Sequence, residues 1–484
     1  MTDISTNRVD WRALWASGDL ARFCFISLGI LLHATNETMV ATVMPAMVGE
    51  LAGVQLVGVQ LVGWSLAIYE LGAIVAGAAA GRLVSYVALR TNMVVAALLY
   101  AAGAMICATA PSMQLFLAGR LIEGLGGGAL VSLAFVSVQR LFPRTIWPQL
   151  FGIMSAIWGV AAFSGPMLGA IMTELLSWRW AFGIFTFGGG AMALASFIVL
   201  NTPEAKKPQA TDGKAPPFPF AALGCLAISV VLIASAGVDI ALLRSSLLMT
   251  VGLIGLALFF RIDALKPLSR LFPSQLFSWR SPVGAGMTMV AAFSVATCSF
   301  GVYGPLLLTS LHGIPILTTG YIIAAESIAW SILSILVANA PPQRERPIIV
   351  CGAMMIAAGI AGFAYTVPAG SIPLILLCAL LQGGGFGIAW PFLTRFIVAS
   401  ARDDEQTIAS AAVPTMQRIG YAVGAALTGI VANASGFSEG LNREAAASVA
   451  SWLFLAFLPL GIVGCMAALR ISSTALRSRM AAAG

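Results

Sequence analysis

Charge is scarce in this chain of 484 residues: Asp, Glu, Lys and Arg make up 9% of it and histidine occurs twice, while 59% is hydrophobic. Soluble domains carry about 25% charged residues. A mean hydropathy of +0.94 therefore excludes an ordinary soluble fold and makes lipid the solvent for most of the chain. Cysteine is sparse too. Cys24, Cys107, Cys225, Cys298, Cys351, Cys378 and Cys465 lie in or beside separate apolar runs without C-x-x-C spacing, which implies no metal or disulfide role and leaves them as small packing residues. No paired nucleophile and base, metal cluster or cofactor motif is present, so neither an enzyme nor a cofactor is expected. The net charge of +7 comes from single basic residues spread over short loops, with no aromatic-interleaved face to bind nucleic acid. The polar first 22 residues lead into a full-length span rather than a short h-region, so no cleavable signal peptide is expected.

What the chain has is apolar runs bounded by charges, Pro and Gly. They predict fourteen membrane spans near 23–46, 61–81, 92–110, 114–137, 147–173, 178–200, 219–237, 245–262, 283–309, 315–338, 347–366, 372–397, 406–432 and 449–470. With both termini inside, cytoplasmic segments hold 21 of the 26 Lys and Arg; Arg179, Arg244 and Arg443 fall outside, and Arg120 and Arg418 lie within spans. That bias predicts the orientation of a multi-pass protein of the cell inner (plasma) membrane. The Pro-rich polar stretch 201–217 and the basic stretch 261–282 divide the chain into six spans, two extra spans and six more. The expected organisation is an N-terminal six-helix bundle (1–203), a linker with two additional spans (204–280) and a C-terminal six-helix bundle (281–484), acting as a monomer in the lipid bilayer.

Glu37, Glu70, Glu123 and Glu326 interrupt these runs. A carboxylate at mid-membrane is costly, so where one persists it usually faces the bundle interior or a water-filled path and handles a proton or cation. Glu37 is eight residues from Pro45, Glu70 eleven from Gly81, and Glu326 eleven beyond Pro315, too deep to snorkel easily. His33, one helical turn before Glu37, is placed to relay protons with it, although a histidine in a span also serves simply as a hydrogen-bonding neighbour. Arg120 and Glu123 stand three apart on one helix face and are expected to pair, with Glu123 the more structural partner. Arg418 leaves two readings open, a helix contact or an anchor for an anionic substrate. Tyr69, Trp158, Tyr303, Trp330 and Trp390, with Trp64, Phe163 and Tyr421, are candidates to line a cavity for aromatic or amphiphilic cargo, and each alone also fits a core or interfacial position. The runs Gly126–Gly128 and Gly383–Gly385 lie within apolar helices and lack the flanks of a phosphate loop.

The two blocks of six look related. Leu121-Ile122-Glu123-Gly124-Leu125-Gly126-Gly127-Gly128 and Leu380-Leu381-Gln382-Gly383-Gly384-Gly385-Phe386-Gly387 occupy the fourth span of each, and the second spans each carry one glutamate, Glu70 and Glu326. Parallel halves with a site at their interface are an architecture of secondary transporters, and they make Glu326 the expected pseudo-equivalent of Glu70, facing the same cavity.

Four motifs resemble those of the major facilitator superfamily, specifically its fourteen-span drug/proton antiporters. Asn36-Glu37-Thr38-Met39-Val40-Ala41-Thr42-Val43-Met44-Pro45 is similar to the L-D-x-T-I-V-N-V-A-L-P motif of the first span, with Asn36 at the family aspartate and an acid one place later. Arg120-Leu121-Ile122-Glu123-Gly124 looks like R-x-x-Q-G, with Glu123 in place of Gln. Gly159, Gly165, Pro166 and Gly169 resemble the G-x-x-x-G-P-x-x-G antiporter motif, with the first glycine further out than the pattern asks. Gly81-Arg82-Leu83 through Arg90 is a degraded G-x-L-x-D-R-x-G-R-R loop in which the acid has become Ser85.

The resemblance implies an all-α major facilitator fold and a proton-coupled antiporter exporting an amphiphilic organic solute or drug by alternating access. Glu37, Glu70 and Glu326 then bind proton or cargo, Arg120 contributes to coupling, and Gly159, Gly165, Pro166 and Gly169 form a pliable contact with the opposite half, with Gly81 and Arg90 at the gate. Two alternatives stay open: proton-coupled uptake of an organic anion or nutrient, with Arg120 or Arg418 as the clamp, and a non-transporting lipid or ligand sensor on the same fold.

Overall fold

The computed structural model describes residues 15, 17–51, 57–207, 217–238, 241–436 and 443–483. Long helices dominate them: α1 (Asp19–Leu51), α2 (Val57–Tyr86), α3 (Leu89–Thr109), α4 (Met113–Leu141), α5 (Trp147–Leu175), α6 (Trp178–Val199), α7 (Phe220–Val238), α8 (Leu242–Leu265), α9 (Pro282–Ala296), α10 (Cys298–His312), α11 (Ile316–Val337), α12 (Glu345–Ala369), α13 (Ile372–Ser400), α14 (Gln406–Ala434) and α15 (Arg443–Ala483). In lipid a spanning segment must satisfy its own backbone, which only a helix or a closed barrel does. The helices start and stop on local chemistry. Ser112, Ser177 and Ser281 accept N–H bonds as N-caps of α4, α6 and α9, and α10 and α12 end on Gly313 and Gly370 in the left-handed conformation that glycine adopts at least cost. Helices α9 and α10 form one interrupted span, Pro282–His312, broken where the Thr297 hydroxyl back-bonds to the Phe293 carbonyl at 2.8 Å.

Thirteen segments of the described residues are long and apolar enough to cross a membrane, one fewer than the sequence reading expects. The missing one is α14. It is 29 residues long, but Gln406, Thr407, Ser410, Thr415 and Arg418 lower its hydropathy, and all five are buried against other helices. A helix that shows its polar side to protein needs less apolar surface than one facing lipid.

Helices α1–α6 pack together, with α4 lying against α1, α2 and α3, while α9–α15 form a second bundle around α13 and α15. The close approaches of α4 depend on its glycines. A Cβ at Gly124 would stand 2.2 Å from the Tyr69 carbonyl oxygen, and one at Gly126 2.3 Å from the Tyr100 amide nitrogen. The bundles meet along two seams, α2 with α14 and α5 with α11, and the α7–α8 hairpin leans on both α2 and α14.

Both seams are sealed toward the arginine-rich end. Ser331 and Ser334 of α11 donate to the carbonyls of Ala156 and Gly152, both at 3.1 Å. A Cβ on Gly81 would stand 2.8 Å from that of Ala411. Arg144 donates to Gln406 at 2.9 Å and Thr407 to Gln139 at 3.2 Å. Arg82 donates to the Leu268 carbonyl in the loop after α8.

Candidate functional site

At the inner end of the α2–α14 seam, Arg418 of α14 faces three side chains of the N-terminal bundle. Its Nη1 donates to both Glu70 oxygens at 2.7 and 2.8 Å, its Nη2 lies 3.3 Å from Glu37 Oε2, and Nη2 also meets His33 Nε2. A guanidinium only donates, so His33 accepts at Nε2, carries its hydrogen on Nδ1, and donates it to the Tyr69 hydroxyl 2.7 Å away. The His33 and Tyr69 rings stack at 5.3 Å, and Trp158 presents its ring to His33 at 6.1 Å and to Arg418 at 5.6 Å. One guanidinium thus serves two carboxylates. Glu37 and Glu70 keep 32% and 26% of their side-chain surface exposed, against 9% for Arg418, so the acids are partly open while the arginine is enclosed.

A second charge cluster lies behind the first, fully buried. Arg120 donates to Glu123 at 2.6 Å and to Asn36 Oδ1 at 2.7 Å, and Asn36 Nδ2 donates to Glu123 at 2.7 Å. The pair expected from the i, i+3 spacing is present, closed into a triangle by the residue that stands where the resembled motif has an aspartate. The Arg120 guanidinium also sits 4.0 Å over the Tyr69 ring. Tyr69 therefore touches both clusters, its face under Arg120 and its hydroxyl on His33. Room for that contact comes from Gly127, where a Cβ would stand 2.4 Å from His33 Nδ1 and 2.8 Å from the Tyr69 hydroxyl.

Among the described residues, Glu326 makes no hydrogen bond or ion pair with either cluster. Gln382 donates to it at 2.7 Å, and no Lys or Arg of the described residues forms an ion pair with it. Its expected equivalence with Glu70 is off by one residue. Gly124 and Gly128 face the carbonyls of Tyr69 and Ala73, whereas Gly383 and Gly387 face those of Glu326 and Trp330. Glu326 thus occupies the place of Tyr69, and Gln382 that of Glu123. A one-residue offset turns a helical side chain by about 100°, which carries Glu326 onto Gln382 of α13.

The motif glycines divide in a similar way. Gly159 faces Ser331 of the other bundle, but Gly165 and Gly169 face Thr38 and Thr42 of α1, within their own bundle. The i, i+4 spacing of that pair keeps them on one face, and Gly159 is turned away from it. The expected inter-half contact therefore rests on Gly159 and Gly81, while Arg90 lies against Phe197 of α6, inside the N-terminal bundle. Of the expected cavity aromatics, Tyr69 and Trp158 join the charged site. Tyr303 is buried in the C-terminal core, and Trp330 and Trp390 gather around Phe386 at 4.6 and 5.0 Å. Arg418, for which the sequence alone allows either a helix contact or an anion anchor, stands at the centre. An arginine alone in a span of low hydropathy was the available signal.

Residues 26–366 match the Major Facilitator Superfamily. A Mycobacterium tuberculosis protein named "Probable multidrug-efflux transporter" is 28% identical over 96% of this chain and 97% of its own length. Multidrug resistance protein 3 of Bacillus subtilis is 30% identical over 36% of this chain and 32% of its own length. Among solved structures, the proton:xylose symporter XylE aligns with a TM-score of 0.65 at 14% identity, covering 94% of this chain and 95% of that one. The human organic anion transporter MFSD10 aligns at 0.62 and 18%, covering 91% and 98%. With two helical bundles meeting at a charged seam and the family matched over most of its length, this chain belongs to the major facilitator superfamily and is a multi-pass membrane transporter.

Proposed function

We propose that the protein is a proton-coupled antiporter that exports an amphiphilic organic cation by alternating access. The observation that carries this reading is the sharing of Arg418 between Glu37 and Glu70 across the two bundles. One cation against two carboxylates leaves one negative charge for a proton or a cationic cargo to balance, and both cannot balance it at once. That is the competition an exchanger requires.

The cycle follows from the seam. Closure at the arginine-rich end is supported by the Arg418 bridge, and the exposed parts of Glu37 and Glu70 are then reached from the opposite end. A proton arriving there neutralises a carboxylate, expels cargo and loosens the hold of Arg418 on the other bundle. The bundles reopen at the arginine-rich end, where proton loss and cargo binding complete the exchange. Each ligand drives the step only through its different affinity for the two states. Glu326, with a neutral amide as its partner, serves as a further proton or cargo station. Efflux as the direction draws support from the relative of matching length that carries a multidrug-efflux name. Anion uptake is less favoured, because Arg418 and Arg120 are already engaged by carboxylates.

Proteoliposomes with an imposed pH gradient and a fluorescent lipophilic cation test this. Glu37→Gln and Glu70→Gln are expected to abolish gradient-driven flux, with Glu326→Gln reducing it. Undiminished proton-driven flux in all three variants would overturn the proposal.

A further inference from the structure

Beyond the transport reading, one groove on the outside of the α7–α8 hairpin has a chemistry of its own. It has a volume of about 510 Å³ and is walled by Leu253, Leu256 and Phe260 of α8 and by Phe277 of the following loop, with Arg261 at its rim. The walls are apolar and the rim is cationic. Arg261 is exposed, and among the described residues it makes no ion pair or hydrogen bond. Lys266 and Arg280 are exposed nearby in sequence, and the one acid between residues 241 and 282, Asp263, is buried with its carboxylate accepting the Leu271 and Phe272 N–H groups at 2.7 and 3.1 Å. Arg270 of the same loop is paired with Glu405, whereas Arg261, Lys266 and Arg280 form no ion pair among the described residues.

The loop also presents apolar side chains outward. Leu265, Leu268, Phe277 and Trp279 are 70%, 72%, 59% and 40% exposed, beside the basic residues. Apolar and aromatic side chains interleaved with Lys and Arg at a helix end mark the headgroup boundary of a bilayer. Basic pockets at that level hold anionic lipid headgroups. We infer that this groove binds a membrane phospholipid of net negative charge, its acyl chain along Leu253, Leu256, Phe260 and Phe277 and its phosphate on Arg261.

The same loop ties the bundles together. Glu405 accepts from the Ser274 hydroxyl at 2.9 Å and pairs with Arg270 at 3.5 Å, while Arg82 of α2 donates to the Leu268 carbonyl. Phe272, buried behind the loop, packs edge-on against Phe260, which packs edge-on against Phe277 in the groove. Lipid in the groove braces that loop and so favours closure at the arginine-rich end.

The test uses the full-length purified protein with phosphatidylglycerol or phosphatidylcholine, followed by native mass spectrometry and thermal unfolding. The wild-type protein is expected to retain phosphatidylglycerol and to unfold at a higher temperature with it than with phosphatidylcholine. Arg261→Gln is expected to bind phosphatidylglycerol roughly fivefold more weakly and to lose most of that difference, as one basic group near a lipid surface contributes about 1 kcal/mol; Arg261→Lys keeps it, and Phe277→Ala weakens both lipids. Equal response of the wild type to both lipids, or an unchanged preference in Arg261→Gln, overturns the inference. So does reproduction of the stabilisation by inorganic phosphate alone, which would make the rim a simple anion site.

Discussion

Arg418 of α14 donates through one nitrogen to both carboxylate oxygens of Glu70 of α2, at 2.7 and 2.8 Å, from 348 positions away in the chain. The two residues belong to different bundles, so the pair exists only while the α2–α14 seam is closed at that depth. Removing one partner strands the other. Arg418→Gln is expected to cost about 3 kcal/mol, a figure reduced from the fully buried case because Glu70 is partly exposed, and the loss should shrink when Glu70→Gln is added. Thermal unfolding of the four proteins of the double-mutant cycle reads the coupling directly.

The His33–Tyr69 contact depends on the missing side chain at Gly127. Gly127→Ala places a methyl 2.4 Å from His33 Nδ1 and is expected to turn the imidazole away, lowering stability by about 1–3 kcal/mol and impairing transport. Gly190, also within a helix, has nothing within 4 Å of a built Cβ. Gly190→Ala should therefore be neutral or stabilising by up to about 1 kcal/mol. Opposite shifts in thermal midpoint are the expected result.

Closure at the arginine-rich end requires Gly159, where a Cβ would stand 1.8 Å from Ser331 Oγ. Gly159→Val is expected to hold α5 and α11 apart. A destabilisation of closure by only about 1 kcal/mol changes the open population roughly fivefold. Ser334→Cys in a cysteine-free background, buried in the parent seam, should then react faster with a water-soluble maleimide.

Glu50, beyond the apolar part of α1, accepts from Arg179 at 2.8 Å and from the Trp178 indole at 2.7 Å. The Arg179 bond, more than any other influence, holds its carboxyl below the ordinary carboxylate range. A group depressed in the folded state contributes stability above its unfolded value, near pH 4.3, and loses it as the pH falls through the folded value. The side chain is about half exposed, so the contribution is a few tenths of a kcal/mol. Glu50→Gln should lower the thermal midpoint slightly at neutral pH, with the difference vanishing once the pH has fallen through the depressed folded value.

Much of this architecture is legible in the chain. Apolar runs fix helices because lipid offers backbone groups no alternative partner, and lone charges within those runs stand out for the same reason. Glu37, Glu70, Arg120, Glu123 and His33 are all identified that way, and the Arg120–Glu123 pair follows from spacing alone. The partner of Glu70 is not legible, because no local rule connects α2 with α14. Nor is the register of the second bundle, where matching lone glutamates suggested a pairing of Glu326 with Glu70 that the glycine contacts of α13 replace with Tyr69.

By itself, then, the sequence determined a helical membrane protein with costly charges at mid-span, since hydropathy and helical periodicity are properties of neighbours along the chain. Only the tertiary structure decided that one arginine is shared by two acids of the other bundle, that Tyr69 links the two charge clusters, and that Glu326 is held by Gln382. Those facts depend on helix rotation and on close approach between distant segments. Side-chain packing at glycine contacts fixes both, over a few tenths of an ångström that no local pattern records.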